Sequence, residues 1–267
     1  MKRDDDKRAI GIWLECYNNL SGTSFGVDSY PDEHDRNTES IDALCKDSQG
    51  RTLGLEHTRI EAFPGEMTDN ARFMEVLGRL EKDPRLAEIG VQTSVSIEVG
   101  AIPKGISWNT LATDLAAFLM QRVSGLGLGF HTLVFVQGSV SIPLRIDRRI
   151  YLTGQPGSFL VARNWPGKSN ESTVRKAFEE KLPKLKASSA GRKILLLEQN
   201  SVAGAVWSDV TKFFAAHGLP AWMPDEMWML WTGALETEKY MHVAQLYPNI
   251  SNLKADWSDG TITTTYP

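Results

Sequence analysis

Residues 40–60 read SIDALCKDSQGRTLGLEHTRI, and this stretch decides the predicted fold. Two runs with strand character, 40–45 and 52–60, flank a short polar turn that contains a glycine, which is the pattern of a β-hairpin. Asp42 stands in the first run between Ile41 and Ala43, and Glu56 stands in the second. Because an unpartnered carboxylate is costly to bury, both acids are out of place in a purely structural hairpin.

Alternation along a strand puts Glu56 and Thr58 on one face of the hairpin, and Leu55 and His57 on the other. Acids on adjacent strands can then converge. Hard divalent cations are held by one or two carboxylates together with water and phosphate oxygens. The hairpin therefore predicts a site for Mg²⁺ or Mn²⁺ at Asp42 and Glu56. There a metal would activate water, helped by a nearby lysine that positions or deprotonates that water.

Outward from the hairpin, helical and strand patterns alternate, which predicts an α/β protein with a mixed sheet flanked by helices. The predicted helices cover 8–20, 68–84, 109–123, 171–186 and 202–217. The predicted strands beyond the hairpin cover 91–99, 133–136, 139–146, 150–152, 193–198 and 226–232. The short strands between 133 and 152 are expected to extend the same sheet. Breaker residues favour irregular structure over 23–38, over 158–172 and after Trp257.

One lysine interrupts the apolar stripe of the helix over 171–186. Lys181 occupies a position where the spacing of Val174, Phe178 and Leu185 predicts a hydrophobic side chain. Lys184 lies on the adjoining face of the helix and could serve the same site or contact a phosphate. Lys181 ranks first as a catalytic candidate, although a lysine that extends its ammonium past the edge of the core explains the position equally well.

The composition constrains the classes of function. The chain has 267 residues, 42% of them hydrophobic, and a net charge of −4, which argues against a protein that grips nucleic acid through a large basic excess. A nuclease with an acidic site is compatible with that charge. The absence of a long apolar stretch and of a secretory leader predicts a cytoplasmic protein without a membrane partner. Cys16 and Cys45 are expected to be reduced and packed.

The hairpin motif resembles that of the PD-(D/E)XK nuclease superfamily, with Ser40-Ile41-Asp42-Ala43-Leu44 followed by a glycine turn and Leu55-Glu56-His57-Thr58. The resemblance implies a restriction-endonuclease-like mixed sheet and a metal-dependent nuclease, with nucleic acid as partner and DNA favoured over RNA. It implies one nuclease-like domain over 1–267, with a core at 8–60 and 171–232 and a large insertion of helices and strands at about 62–170.

The resemblance also assigns roles to individual residues. Asp42 and Glu56 would be the catalytic metal ligands. The family places a lysine where this chain has Thr58, and some members carry that lysine on the following core helix, which gives the role to Lys181. An accessory acid from the first helix corresponds to Glu15.

Other interpretations remain open at the level of sequence. The hairpin acids could be solvated, or bonded to Arg51 and Arg59, in a structural hairpin. The same fold could be a catalytically inactive module that binds nucleic acid or another protein, an alternative that Thr58 and the negative net charge favour. An enzyme of unrelated chemistry could use residues 91–170. His57 is predicted to be a satisfied histidine that faces away from Glu56.

Overall fold

The structure, a computed structural model, describes residues 4–34, 40–151, 157–164, 170–199, 207–232, 240–248, 254–258 and 260–265. The chain divides into two compact units, one formed by Met1–Pro64 with Ser169–Pro267 and the other by Gly65–Lys168. The second unit spans nearly the same residues as the insertion expected at about 62–170.

The elements are numbered here in chain order. The strands are β1 Gly26–Ser29, β2 Ala43–Lys46, β3 Thr52–Arg59, β4 Val91–Glu98, β5 Gly129–Gln137, β6 Val140–Ile150, β7 Ser158–Asn164, β8 Arg192–Gln199, β9 Glu226–Trp231, β10 Tyr240–Tyr247, β11 Lys254–Ser258 and β12 Thr261–Thr265. The α-helices are α1 Asp4–Ser21, α2 Pro31–His34, α3 Glu66–Phe73, α4 Trp108–Val123, α5 Glu171–Ala187 and α6 Trp207–His217.

The first unit is built on an eight-stranded mixed sheet in the order β1-β2-β3-β8-β9-β10-β11-β12. The three central strands β3, β8 and β9 run parallel, and β2 and β10 pair antiparallel on either side of them. Parallel strands are covered on both faces, so they carry near-continuous apolar runs such as Ile194–Leu197 in β8.

Helices cover both faces of this sheet. On one face α1 packs Ile10, Trp13 and Tyr17 against Leu53 and Leu55 of β3 and against further strands. On the other face α5 and α6 supply an apolar layer that consists of Val174, Phe178, Leu182, Leu185, Val210 and Phe213. Each face of β3 therefore meets a different set of helices.

The hairpin turn between β2 and β3 is fixed by Asp47. Its Oδ1 accepts hydrogen bonds from the backbone N–H groups of Gln49 and Arg51, both at 2.9 Å. Gly50 has a φ of 76°, in the left-handed region that favours glycine. The turn sets the register in which Ala43 pairs with Leu55 and Cys45 pairs with Leu53.

The second unit has its own sheet, in the order β5-β6-β4-β7, with β4 and β7 parallel and the other pairs antiparallel. One face of the sheet packs on α4 through a separate apolar core that includes Leu111, Leu115, Val95 and Ile142. Ser107 begins α4 as an N-cap, and its side chain accepts a hydrogen bond from the backbone of Thr110.

Most predicted elements are confirmed, namely α1, the β2–β3 hairpin, β4, α4, α5, β8 and β9. The region predicted as one helix over 68–84 contains α3, a π-helical turn at Met74–Gly78 and a 3₁₀ turn at Leu80–Lys82. The helix predicted from 202 is described from Trp207, and its expected first residues lie outside the described part of the chain.

Four predicted segments differ from the structure. The segments predicted at 133–136 and 139–146 lie in the β5–β6 hairpin of the second sheet and do not extend the first, while Ile150 of the segment predicted at 150–152 is the last residue of β6 and Leu152 lies outside the described residues. The 158–172 region contains β7, and 23–38 contains β1 and the short α2. The tail after Trp257, predicted to be irregular, contains β12, which pairs antiparallel with β11, and β11, for which no strand was predicted, pairs antiparallel with β10. Among the described helices, none has the length and apolar character needed to cross a membrane.

Candidate functional site

The candidate site lies on the face of β3 that α5 covers. Glu56 is in the middle of β3, and Asp42 is the residue before β2, so the antiparallel register places the two acids on neighbouring strands. Both side chains are buried, Glu56 at 0% exposure and Asp42 at 7%. The convergence of the two acids that the hairpin predicts is present in the structure.

Lys181 of α5 joins the two acids. Its Nζ lies 2.7 Å from Glu56 Oε2 and 3.2 Å from Asp42 Oδ2, and it donates a hydrogen bond to the latter oxygen. The lysine that interrupts the apolar stripe of α5 therefore carries its ammonium to the carboxylate pair. The three side chains form one buried charged cluster, named here the Asp42–Glu56–Lys181 cluster.

Asp42 is held by the backbone of β3 as well as by Lys181. The β2–β3 pairing ends at Ala43 and Leu55, and two residues further along β3 the His57 N–H donates to Asp42 Oδ2 at 2.7 Å. The carboxylate thus accepts a hydrogen bond from a backbone group just beyond the end of the strand pairing. Because a charged acceptor strengthens such a bond, Asp42 has a fixed orientation.

Glu56 is the least satisfied member of the cluster. Among the described residues, neither of its buried carboxylate oxygens accepts a well-aligned hydrogen bond, although Oε2 is in close ionic contact with Lys181. Burial, together with the neighbouring charge of Asp42, raises the pKa of Glu56 to about 7, and the charges of Lys181 and Lys184 partly oppose that shift. An orphaned, buried carboxylate oxygen is a position that a cation or a water molecule would satisfy.

Lys181 remains protonated in this setting. Burial by itself would lower the pKa of its ammonium, but the charges of Asp42 and Glu56 outweigh burial and raise that pKa. A lysine in this state can donate hydrogen bonds and balance negative charge, and it is poorly suited to remove a proton from water. The arrangement of Lys181 therefore suits a lysine that positions a water molecule and does not suit one that deprotonates it.

The donor set suits a hard divalent cation. Asp42 and Glu56 supply carboxylate oxygens only, and no thiolate or imidazole of the described residues takes part in the cluster. Oxygen donors of this kind suit Mg²⁺ and Mn²⁺ better than softer metals. The residues present fit the metal expected from the sequence, with Glu56 Oε1 as the oxygen most in need of a partner.

A second polar cluster lies on the opposite face of β3. His57 Nε2 lies 2.8 Å from Glu198 Oε2 of β8, and Arg59 Nε donates to the same oxygen at 3.2 Å. Thr232 donates its hydroxyl to Glu198 Oε1. His57 and Arg59 thus share one carboxylate, and the prediction that His57 faces away from Glu56 and is satisfied is confirmed.

This second cluster was not anticipated from the sequence. Asp6, His57 and Glu198 offer ligand atoms within 4.8 Å of one another, but the guanidinium of Arg59 already supplies a cation to Glu198. Hydrogen bonds from His57 and ionic contact with Arg59 hold the pKa of Glu198 at about 2, despite its burial. The sequence feature that could have indicated this cluster is Glu198, an acid directly after the apolar run Ile194–Leu197.

Glu15 is not brought to the Asp42–Glu56–Lys181 cluster. Its Oε2 accepts a hydrogen bond from the indole N–H of Trp257 on β11, at 3.2 Å. In the strand order, β11 lies four positions from β3, which corresponds to roughly 19 Å at the usual strand spacing. The structure therefore separates Glu15 from the residues that it was expected to assist.

The arginines of the hairpin have other acidic partners. Arg51 contacts Asp47 within the turn, and Arg59 contacts Glu198. The positive charge that the structure shows beside Asp42 and Glu56 comes from α5. The chain matches no family model, no curated protein and no solved structure, so the meaning of this site rests on its geometry.

Proposed function

We propose that the protein is a nuclease that hydrolyses phosphodiester bonds in nucleic acid, DNA before RNA, with Mg²⁺ or Mn²⁺ held by Asp42 and Glu56. The observation that carries the proposal is the contact of Lys181 with both buried carboxylates, at 3.2 Å and 2.7 Å. The proposed fold is restriction-endonuclease-like, with the second unit inserted between β3 and α5.

The resemblance of the hairpin motif supports this proposal. In the PD-(D/E)XK pattern a lysine accompanies the two acids, and in this chain Thr58 stands at its usual position. Lys181 delivers an ammonium to both acids from the helix that follows, as in family members whose lysine has moved. The contact of Lys181 with both acids therefore supplies the lysine that the motif lacks at Thr58.

The local charge also supports a polyanionic substrate. From Lys181 to Lys193 the sequence contains five basic residues and no acidic one, whereas the whole chain has a net charge of −4. Lys184 is close enough to act on the pKa of Glu56. Lys181 and Lys184 are the two lysines of this segment that act on the carboxylate pair, and cations beside such a pair are suited to phosphate groups, whose contacts supply most of the affinity for nucleic acid.

The residues of the cluster have separate tasks in this proposal. A bound divalent ion would supply water activation and stabilise the charge that develops on the scissile phosphate. Asp42, oriented by the His57 N–H, and Glu56, with its unsatisfied oxygen, would hold that ion. Lys181, which retains its proton, would orient water or the phosphate through hydrogen bonds.

The proposal is tested by measuring metal binding and nucleic-acid cleavage in two separate assays. Mn²⁺ is titrated into the metal-free protein by calorimetry, and cleavage of plasmid DNA, single-stranded DNA and RNA is followed with and without Mg²⁺. We expect one Mn²⁺ site and divalent-dependent cleavage, both lost in Glu56→Gln and Asp42→Asn. Lys176→Met is the matched control, because Lys176 lies on the same helix with a 72% exposed side chain.

A catalytically inactive module is the second candidate, and one observation favours it. Lys181 already neutralises the two carboxylates, so the cluster can exist as a buried ion pair with a purely structural role. This candidate predicts no Mn²⁺ site and no cleavage by the unaltered protein. A protein that cuts equally well after Glu56→Gln contradicts the nuclease proposal outright.

A further inference from the structure

Strand β5 forms an open edge of the second sheet. In the order β5-β6-β4-β7 it pairs with β6 on one side, and its other side pairs with no strand in the part of the chain that the structure describes. With nine residues it is longer than the other described edge strands, β1 with four, β7 with seven and β12 with five. Among the edge strands that the structure describes, it therefore presents the longest row of unpaired backbone N–H and C=O groups.

The outward face of β5 is mostly apolar, with Thr132 as its polar member. Phe130, Val134 and Val136 point away from the core and are 81%, 51% and 65% exposed, while Phe135 on the other face is buried. The pairing with β6 shows no register shift along its length, so no bulge turns the edge aside. Apolar side chains of this size on an exposed strand usually mark a surface that contacts a partner.

Strand β5 also lacks the usual protection of an edge. Its sequence, GFHTLVFVQ, contains no lysine, arginine, aspartate, glutamate or proline, which are the residues that normally prevent edge-to-edge association. An open backbone edge needs a β-strand as its partner, and an apolar outward row needs an uncharged, apolar one. Strand β5 itself meets both requirements, and pairing it with its own copy brings no like charges together.

We propose that two copies of the protein associate through β5, paired antiparallel about a two-fold axis, so that two four-stranded sheets form one continuous eight-stranded sheet. Such an interface is isologous, since the same surface is used by both copies. The proposal concerns the second unit alone and does not depend on the proposed nuclease function.

The register of this dimer follows from the length of the strand. Pairing all nine residues places Leu133 on the two-fold axis, opposite Leu133 of the partner subunit. Phe130 then lies opposite Val136 of the partner subunit, and Thr132 lies opposite Val134 of the partner subunit. Aromatic and β-branched residues are favourable cross-strand neighbours, so the outward rows of the two copies cover each other.

Sedimentation velocity of the full chain tests the association. We expect a species of twice the monomer mass that dissociates as the protein is diluted. Val134→Lys adds a charge to the outward row of β5 and should give a monomer at every concentration. Ile89→Lys is the matched control, because Ile89 is 78% exposed and lies outside the strands, so this variant should remain a dimer.

Cysteine cross-linking tests the register. Opposed residues in an antiparallel pair have Cα atoms about 4.5–5.5 Å apart, within the range that a disulfide spans, so Leu133→Cys should cross-link two copies on oxidation. Val136→Cys should not, because the two introduced thiols would be roughly 20 Å apart along the strands. Native Cys16 and Cys45 should not interfere, because both are buried and burial raises each pKa to about 12.

Two results would overturn the proposal. A wild-type protein that stays monomeric at high concentration shows that the edge is not covered by a second copy and is open to another strand. A dimer that persists in Val134→Lys, or that cross-links through Val136→Cys but not through Leu133→Cys, shows that the contact lies elsewhere or uses another register.

Discussion

Glu56 keeps an ionisable group in surroundings that oppose its charge. Its side chain is fully buried, its oxygens accept no aligned hydrogen bond from the part of the chain that the structure describes, and its pKa is raised from an ordinary 4.5 to about 7. A raised carboxyl pKa means that the native protein binds a proton that the unfolded chain has already released between pH 4.5 and 7. The free energy of unfolding therefore falls as the pH rises through that window and stays low above it.

Replacement of Glu56 by glutamine should stabilise the metal-free protein at pH 8. The change removes a buried charge, so we expect the free energy of unfolding to rise by about 1–3 kcal/mol. Urea denaturation in EDTA at pH 8 and at pH 4.5 measures the effect, which should be present only at the higher pH. Glu180→Gln, an exposed acid on α5, should change stability at neither pH. A loss of stability in Glu56→Gln at pH 8 would mean that the carboxylate is a net stabilising group.

Glu198 shows the opposite dependence on pH. Its pKa is lowered from 4.5 to about 2 by His57 and Arg59, so its contribution to stability is complete above pH 4.5 and is lost as the pH falls toward 2. We expect Glu198→Gln to lower the free energy of unfolding by roughly 3 kcal/mol at pH 7 and to weaken its decrease between pH 4.5 and pH 2. Thermal melts between pH 2 and pH 7 test this, and an unchanged decrease would contradict it.

At the residue scale the sequence predicted the members of the buried Asp42–Glu56–Lys181 cluster better than it predicted the place of the accessory acid Glu15. Asp42, Glu56 and Lys181 were recognisable because each places a charge where the local pattern requires an apolar side chain. Glu15 was expected only by resemblance, and the periodicity of α1 does not say which face of the sheet the helix covers. Since α1 covers the His57 face, Glu15 bonds with Trp257 instead.

At the element scale, Gly54 in β3 permits the close approach of the chain that enters β8. A Cβ atom added at Gly54 would lie 2.8 Å from Ala190 Cβ and 3.1 Å from Ser188 Oγ. Neither neighbour is the far end of a flexible side chain, so the backbone has to move. Gly54 thus sets the spacing between the segment that follows α5 and the strand that carries Glu56.

Gly54→Ala should destabilise the protein by about 1–3 kcal/mol, the usual penalty of overpacking a close contact. Gly11→Ala is the matched control, since among the described residues no atom outside the nearby backbone of α1 lies within 4 Å of the Cβ position at Gly11, which is inside α1. We expect that control to gain roughly 0.5–1 kcal/mol, because alanine is the better helix former. Urea denaturation of both variants measures these changes. If Gly54→Ala were as stable as Gly11→Ala, the contact of residue 54 with Ala190 and Ser188 would relax without cost.

Elements with strong periodicity were predictable, and elements defined by their partners were not. Strand β7 is flanked by glycine, proline and asparagine, which indicate a loop unless β4 is known to lie alongside. The tail strand β12, a run rich in threonine, forms by pairing with β11. Alternation likewise identified strands between 133 and 152, but it carries no information on which sheet a strand joins.

At the scale of the whole molecule, residues 65–168 have a core of their own. Within the described ranges, the apolar cluster of this unit draws on residues between Phe73 and Val161. We expect residues 65–168, expressed alone, to fold and melt cooperatively, as independent domains do. Circular dichroism and calorimetry measure this, and a broad, non-cooperative melt would contradict it.

Metal binding should distinguish the two units in the same melting experiments. A ligand that binds only the native state raises the melting temperature in proportion to RT ln(1 + [L]/Kd). We therefore expect Mn²⁺ to raise the melting temperature of the full chain and to leave that of isolated 65–168 unchanged. An equal rise in both would place the metal outside the Asp42–Glu56–Lys181 cluster.

Strand β3 carries two unlike clusters on its two faces, with Glu56 toward α5 and His57 toward α1. The side-chain period of a strand is two, so the gain or loss of a single residue upstream of Glu56 within β3 would exchange the faces. An imidazole or apolar side chain would then face the ammonium of Lys181, and the carboxylate of Glu56 would face the tryptophan-rich layer beneath α1. A substitution in this strand alters one cluster or one contact, whereas an insertion or deletion of one codon would disrupt both clusters at once.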